Sequence, residues 1–195
     1  VPICGFIYHD EVNHCKPVKY SWSGGEEKVS LGDAFKLNAE LYLTALWNKL
    51  FDMQIIEKFY IRFDENLSMG EDLRFSVEYF EKSDTEFVYA FSAHLYHYTK
   101  LSENTLMSDF ARGNAEDGIK SLKMIYDLAV KYNSDAELEY NKAVKNLKNN
   151  YIYFLVRDKK YSWKQQLKKI REFSEKYTLL TFFVDKLKAV REKFV

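Results

Sequence analysis

The sequence predicts a mixed α/β segment of about 100 residues followed by a mostly helical C-terminal region, with the boundary between residues 102 and 103. Three observations predict it. Val1–His9, Glu86–Phe91 and Ala93–Thr99 are runs rich in apolar, β-branched and aromatic residues, the composition of strands. Asp33, Asp52 and Gly70 each precede a stretch of helical character. After Lys100 the character changes to long helical stretches, with apolar residues such as Leu167, Ile170 and Phe173 at helical spacing among charged ones.

In chain order, Val1–His9 reads as a strand and the polar Asp10–Lys19 as a loop. Gly24 and Gly25 mark a turn into a short strand at Glu27–Ser30. Asp33 caps a helix that runs to about Leu43, with Ala34, Leu37 and Leu41 on one face. Asp52 caps a second helix, Met53 to Phe59, and Ile61-Arg62-Phe63 is extended. Gly70 opens a third helix, whose apolar Leu73, Phe75, Val77 and Phe80 include the i, i+4 pair Leu73/Val77. Two further strands follow at Glu86–Phe91 and Ala93–Thr99. Helices are then expected at Asn104–Phe110, Glu116–Lys131, Ala136–Arg157, Trp163–Tyr177 and Leu180–Phe194. There are no internal repeats.

Composition bounds the function. Hydrophobic residues make up 47% and charged residues 30%, which supports a packed core and excludes wholesale disorder. Fifteen Tyr and fifteen Phe predict an aromatic core or an aromatic-lined groove. Cys4 and Cys15 have neither metal-site spacing nor scaffold density, so a reducing, cytoplasmic setting is expected. No apolar run approaches the ~18 residues of a membrane span, and no signal peptide opens the chain. Because Val1 to Tyr8 already reads as a strand, the chain is expected to begin inside a fold, as a fragment would. The zero net charge hides a split. Residues 1–140 carry 14 Lys/Arg and 24 Asp/Glu, whereas residues 141–195 carry 15 and 5. Two regions with different partners, or regions that attract each other, are expected.

The chemistry lies in four pieces: Leu46-Trp47-Asn48-Lys49-Leu50-Phe51, Ile61-Arg62-Phe63-Asp64-Glu65, Gly70-Glu71-Asp72-Leu73-Arg74-Phe75 and Leu95-Tyr96-His97-Tyr98. In this order and spacing they resemble family 2 glycosyltransferases, whose pattern reads W-x-K-L-(Y/F), I-x-F-x-E, G-E-D-x-x-F and a strand ending Y-x-Y. The resemblance spans about Val1 to Ser102. It implies a GT-A fold whose acceptor-side half is residues 1–102, with 103–195 a helical extension. It also implies that the nucleotide-sugar-binding half, ending in an Asp-x-Asp motif that holds a divalent metal (Mg or Mn), lies outside this chain, because no Asp-x-Asp and no Gly-rich phosphate loop occurs here.

The resemblance assigns Asp72 as the base that takes the proton of the acceptor hydroxyl. Its place in the first turn of a helix, where the dipole favours an anion, predicts an ionised carboxylate. Glu71 is expected to bind acceptor hydroxyls, and Gly70 to let the chain turn tightly and the acceptor come close. Trp47 suits either a sugar platform or core packing. Asn48 adjoins the acceptor site, and Lys49 could face a diphosphate or an acidic acceptor, though a solvated lysine is the ordinary case. Arg62 reads as a surface charge. His97 could meet the donor diphosphate or the metal, but Thr99 stands where the family usually has an arginine. His9 and His14 with Cys15 lack the paired ligands of a zinc site.

In the tail, Leu167, Ile170, Phe173 and Tyr177 recur at helical spacing among Lys168, Lys169, Arg171 and Lys176, and Phe182, Phe183, Leu187 and Val190 continue the pattern. A basic amphipathic helix suits an anionic surface at the inner face of the cell membrane, or packs its apolar side on the domain. No nucleic-acid partner is expected, since no recognised module accompanies the charge. The functional expectation is therefore transfer of a sugar from a nucleotide-sugar donor to a glycan or lipid-linked acceptor. The alternative is a non-catalytic helical interaction or membrane-docking module in which Gly70-Glu71-Asp72 is only a helix start.

Overall fold

The computed structural model describes residues 1–65, 67, 70–102, 115–132, 135–157 and 161–176. The expected helices at Asn104–Phe110 and Leu180–Phe194 fall outside them, as do Tyr177, Phe182 and Phe183. The described residues form a mixed α/β structure. Strands β1 (Pro2–Asp10), β2 (Val18–Tyr20), β3 (Glu27–Ser30) and β4 (Phe87–Lys100) make one sheet in the order β2-β1-β4-β3. The central pair, β1 and β4, is parallel, and β2 and β3 flank it antiparallel. The helices are α1 (Ala34–Ala39), entered through a 3₁₀ turn at Leu31–Asp33, then α2 (Met53–Phe59), α3 (Glu71–Lys82), α4 (Ala115–Tyr132), α5 (Glu137–Arg157) and α6 (Trp163–Lys176).

The two strands expected at Glu86–Phe91 and Ala93–Thr99 are one strand, β4. The break at Ser92 is a bulge. Opposite β1, the register jumps from Cys4↔Phe91 to Gly5↔His94 and then to Phe6↔Tyr96. The surplus residues of β4 are absorbed there without ending the pairing. Gly5 sits at the jump because a Cβ would lie 2.6 Å from the Tyr20 carbonyl oxygen of β2. Strand β2 falls inside and just beyond the expected loop. It is three residues long and wholly exposed, so no apolar alternation announces it.

The first helix is shorter than expected. It ends at Ala39, and Leu41 adopts φ 64° and is exposed. The left-handed turn lets the Tyr42 and Leu43 amides both donate to the Leu37 carbonyl, at 2.7 and 3.1 Å, and swings those two side chains into the core. Asp33 makes no capping bond. Ser30 accepts from the Gly32 amide at 3.0 Å instead, capping the 3₁₀ turn. Asp52 does cap α2, accepting from Gln54 N at 2.9 Å.

One core joins the sheet to the helices: Ile3, Val29, Leu31, Leu37, Phe80 and Val88 pack with Ile125, Leu128 and Ala129 of α4. It draws residues from both sides of position 102. A second cluster, Ile152, Leu155, Ile170 and Phe173, lies between α5 and α6. Among the described residues no helix is long and apolar enough to cross a membrane.

The Gly5 contact yields a direct test. Gly5→Ala should destabilise the fold by about 1–3 kcal/mol, the usual cost of forcing atoms into an occupied space. Urea denaturation followed by circular dichroism measures it, and an unchanged midpoint would mean that β2 does not pack against β1 this closely.

Candidate functional site

The segment Trp47–Leu50 is held along the edge of β1. That edge is taken by β2 at Phe6–Tyr8 and by Lys49, in a bridge to Ile3, further back. The Cys4 amide donates to the Asn48 carbonyl at 2.9 Å and the Leu50 amide to the Pro2 carbonyl at 3.2 Å. Backbone bonds thus fix the segment, and side chains on either side of it have defined places.

Trp47 is half-buried among aromatic rings. It stacks on Tyr96 (4.6 Å between centroids), tilts against Tyr98 (5.4 Å) and meets Phe6 edge-on (4.9 Å). Tyr8 continues the row by stacking on Tyr98 at 5.9 Å, and Tyr20 stacks on Phe6 at 4.8 Å. Beside Trp47 opens a mainly apolar cavity of about 420 Å³, lined by Cys4, Asn48, Lys49, Leu50, Leu95 and Tyr96 among others. Asn48 touches it but is only 2% exposed. Its Nδ2 donates to the Leu41 carbonyl at 3.3 Å and its Oδ1 accepts from Lys49 Nζ at 3.0 Å, so its polar atoms serve the chain itself.

Lys49 departs most from the ordinary expectation of a solvated lysine. It is 7% exposed, and its ammonium donates to the Ala45 carbonyl as well as to Asn48. Burial lowers its pKa to about 7, against the opposing pull of the Asp72 carboxylate. Asp72 is part-buried at the start of α3. Burial and the neighbouring Glu71 raise its carboxyl above the ordinary range, and Lys49 only partly offsets them. This is the reverse of what the helix dipole alone predicts. Desolvation and a like charge outweigh a dipole contribution of about 0.3–1 kcal/mol.

The remaining pieces of the resembling pattern frame α3. Phe51 meets Phe75 and Tyr79 edge-on at 5.5 and 4.8 Å, and Phe63 stacks on Phe75 at 4.9 Å. Asp64 pairs with Arg74, and the Asp52 amide donates to the Tyr79 hydroxyl at 2.9 Å. Arg62 lies on the surface with its guanidinium 4.3 Å from the Tyr60 ring centroid. Gly70 has φ 83°, and a Cβ there would lie 2.8 Å from Ser121 Oγ of α4. What comes close to Gly70 is therefore α4 of the same chain.

The structure thus brings Trp47, Asn48 and Lys49 to one cavity and couples Lys49 to Asp72 by charge. Asp72, Glu71 and Gly70 are not among the cavity's lining residues, and neither is His97. On the sheet face opposite Tyr8 and Tyr98, His97 Nδ1 lies 2.9 Å from Nε2 of His9, with the rings 5.1 Å apart. Sequence reasoning weighed His9 only with its near neighbours. The register Ile7↔His97 is what unites the pair, and no local pattern announces it. Among the described residues no group of three or more His, Cys, Asp and Glu side chains is arranged to hold a metal. Compared with protein-family models, curated proteins and solved structures, the chain finds no match.

Lys49 sets a pH dependence with a definite sign. Its folded pKa is depressed from 10.5 to about 7, so the folded state binds fewer protons between those values. Stability should rise as pH climbs from about 7 toward 10.5, by a few kcal/mol at most, and level off below 7. Lys49→Met should remove that slope, and its advantage over the parent should be greatest at pH 6 and fade by pH 10. Urea midpoints at pH 6, 8 and 9.5 measure this, and parallel pH profiles for the two proteins would contradict the burial of a titrating amine.

Proposed function

We propose that the chain is the acceptor-side part of a family 2 glycosyltransferase with a GT-A fold, which moves a hexose from a nucleotide-sugar donor to a hydroxyl of a glycan or lipid-linked acceptor. Cell-surface polysaccharide assembly at the cytoplasmic face of the membrane is the setting this reading implies. The observation that carries it is the meeting of two sequence pieces: Lys49, beside Trp47, interacts by charge with Asp72, whose carboxyl is raised by burial and by Glu71. A carboxylate with a raised pKa is a stronger base than a solvated one, which is what removing a proton from a sugar hydroxyl requires. The row Tyr8, Tyr20, Trp47, Tyr96 and Tyr98, backed by the buried Phe6, adds aromatic surface of the kind on which pyranose rings stack.

On this reading the acceptor O–H gives its proton to Asp72 as its oxygen bonds to the anomeric carbon, and the nucleoside diphosphate leaves with the electrons of the broken C–O bond. Lys49 restrains the carboxyl from becoming neutral. No step here runs through a divalent ion. His97 lies on the sheet face opposite the aromatic row, Lys49 is engaged with its own backbone, and the resemblance assigns the metal carboxylates to residues outside this chain.

The test is a donor-hydrolysis and transfer screen with a panel of nucleotide sugars, on the protein that carries this chain together with its donor-binding part. Asp72→Asn should lower turnover by roughly 10²-fold or more with donor affinity little changed, because the amide keeps the shape and cannot take the proton. Near-normal turnover in that variant would reduce Asp72 to a helix-start residue.

A second reading, a helical module docking on an anionic membrane, is favoured by one observation. Lys164, Lys168 and Arg171 of α6 are exposed while Ile170 and Phe173 are buried against α5. With those apolar residues occupied, docking by this helix would rest on charge, at about 1 kcal/mol for each basic residue near the surface. Sedimentation with phosphatidylserine vesicles should therefore show binding at 50 mM salt that is lost at 500 mM, with none to neutral vesicles. Equal binding to both vesicle types would exclude a charge-based mode.

A further inference from the structure

We propose that His9 and His97 form a two-histidine chelate for a nitrogen-preferring transition-metal ion of the Cu(II) or Ni(II) type, on the sheet face opposite the aromatic row. Three features of the pair carry this. His9 and His97 stand on the adjacent parallel strands β1 and β4 and are diagonal neighbours, since His97 lies opposite Ile7. The sheet therefore fixes their backbones before any ligand arrives. The two nitrogens, Nε2 of His9 and Nδ1 of His97, face each other at 2.9 Å. The rings are nearly parallel, 17° apart, and lie on an accessible face with room for water or a further ligand.

Two imidazoles favour nitrogen-preferring divalent ions, of which Cu(II) binds most tightly. Two imidazole nitrogens at ~2.0–2.1 Å from one ion are about 2.9 Å apart when they subtend a right angle and about 3.3–3.4 Å apart at a tetrahedral angle. The 2.9 Å spacing is set in the metal-free pair by the hydrogen bond between the rings, and it lies close enough to the right-angled edge that the nitrogens need little separation for the square-planar and tetragonal coordination of Cu(II) and Ni(II). A tetrahedral Zn(II) site would need the rings to separate. Hard cations that prefer oxygen, such as Mg(II), gain little from two imidazoles. The site is thus distinct in chemistry from a diphosphate-bound metal and does not depend on the glycosyltransferase reading.

In the metal-free pair one nitrogen donates to the other. For both to bind a metal, the shared proton moves to the other nitrogen of the donating ring, and each ring tilts so that the lone pairs converge. No net proton release is required when both rings are neutral. The remaining positions on the ion are left to water, because no third His, Cys, Asp or Glu joins the pair among the described residues. The affinity should accordingly be that of an open two-ligand site, roughly micromolar and below that of closed structural sites.

The test is titration of the tag-free 195-residue chain with CuCl₂ and with NiCl₂ at pH 7.5, followed by calorimetry, with electron paramagnetic resonance for copper. The expected result is one equivalent bound and a copper spectrum with hyperfine coupling to two nitrogens. His9→Ala and His97→Ala should each weaken binding by at least the roughly 10–100-fold that loss of a mere outer-shell partner costs. His94→Ala, whose imidazole instead bonds Ser21 at 2.9 Å, and the double variant His14→Ala/Cys15→Ser should bind as the parent does. Both proposed ligands are at the accessible sheet surface, and thermal melts of the metal-free variants separate lost binding from lost folding. No binding below 1 mM metal, binding that is undiminished in either His9→Ala or His97→Ala, or binding abolished only by the His14/Cys15 variant would each overturn the chelate.

Discussion

The parallel pairing of β1 with β4 is the constraint on which the rest of this structure depends. It joins Pro2–Asp10 to residues that begin at Tyr89, so it closes nearly the whole α/β region into one crossover. Parallel neighbours need such a connection, and the loop-closure entropy must be met before the pairing gives any return. Only once it forms does Trp47, in the segment that bridges to the other edge of β1, meet Tyr96 and Tyr98 of β4. The same register brings His9 to His97 and Asp10 to Lys100. The bulge opposite Gly5 is what lets β4 keep pairing with β1 over its length while β2 closes in on the other side.

Against that frame, the Lys49–Asp72 relationship shows which electrostatic effect dominates. Mutual attraction alone would raise the lysine and lower the aspartate. The shifts run the opposite way for both, because desolvation exceeds attraction at Lys49, and desolvation together with Glu71 exceeds it at Asp72. Burial thus favours the neutral form of each group relative to its solvated counterpart. Lys49 is tolerated in the interior because the Ala45 carbonyl and Asn48 Oδ1 accept from its ammonium. Asn48 in turn is oriented by the Leu41 carbonyl, which the left-handed turn after α1 places there. A turn that looks like a local irregularity thus supports the buried cation.

What was legible in the sequence was local. Strand β1, the Asp52 cap of α2, the start of α3 at Gly70 and the runs of α4, α5 and α6 follow from composition, capping and periodicity, signals that need only nearby residues. Leu41 misled because Leu37 and Leu41 have helical spacing, yet burying Tyr42 and Leu43 together gains more than continuing the helix. Trp22 was passed over in a polar stretch. It is 3% exposed and satisfied by Glu27, with Lys36 over its ring, two partners that no periodicity predicts. In the candidate site, the residue types were readable but their environments were not. Lys49 gave no sign of burial, and the His9–His97 pair exists only through register. The aromatic residues Phe51, Phe63 and Phe75 of the four pieces pack around the start of α3, so part of the pattern's spacing is explained by that packing.

The basic tail makes the same point from the other side. The recurrence of Leu167, Ile170 and Phe173 fits equally a helix lying in a membrane interface and one packed on a neighbour, because both need one apolar stripe. Burial separates the two. Ile170 and Phe173 close against Ile152 and Leu155, so that stripe is already covered where α6 meets α5. The charge is not used up in the same way. Among the described residues Lys168 pairs with Glu172 one turn away at 3.8 Å, and such an exposed pair is worth little. Attraction between this face and the acidic first 140 residues is screened beyond about 8–10 Å at ordinary salt. The hydrophobic component of this helix is therefore committed to the fold, and its electrostatic component is what remains to act on something outside it.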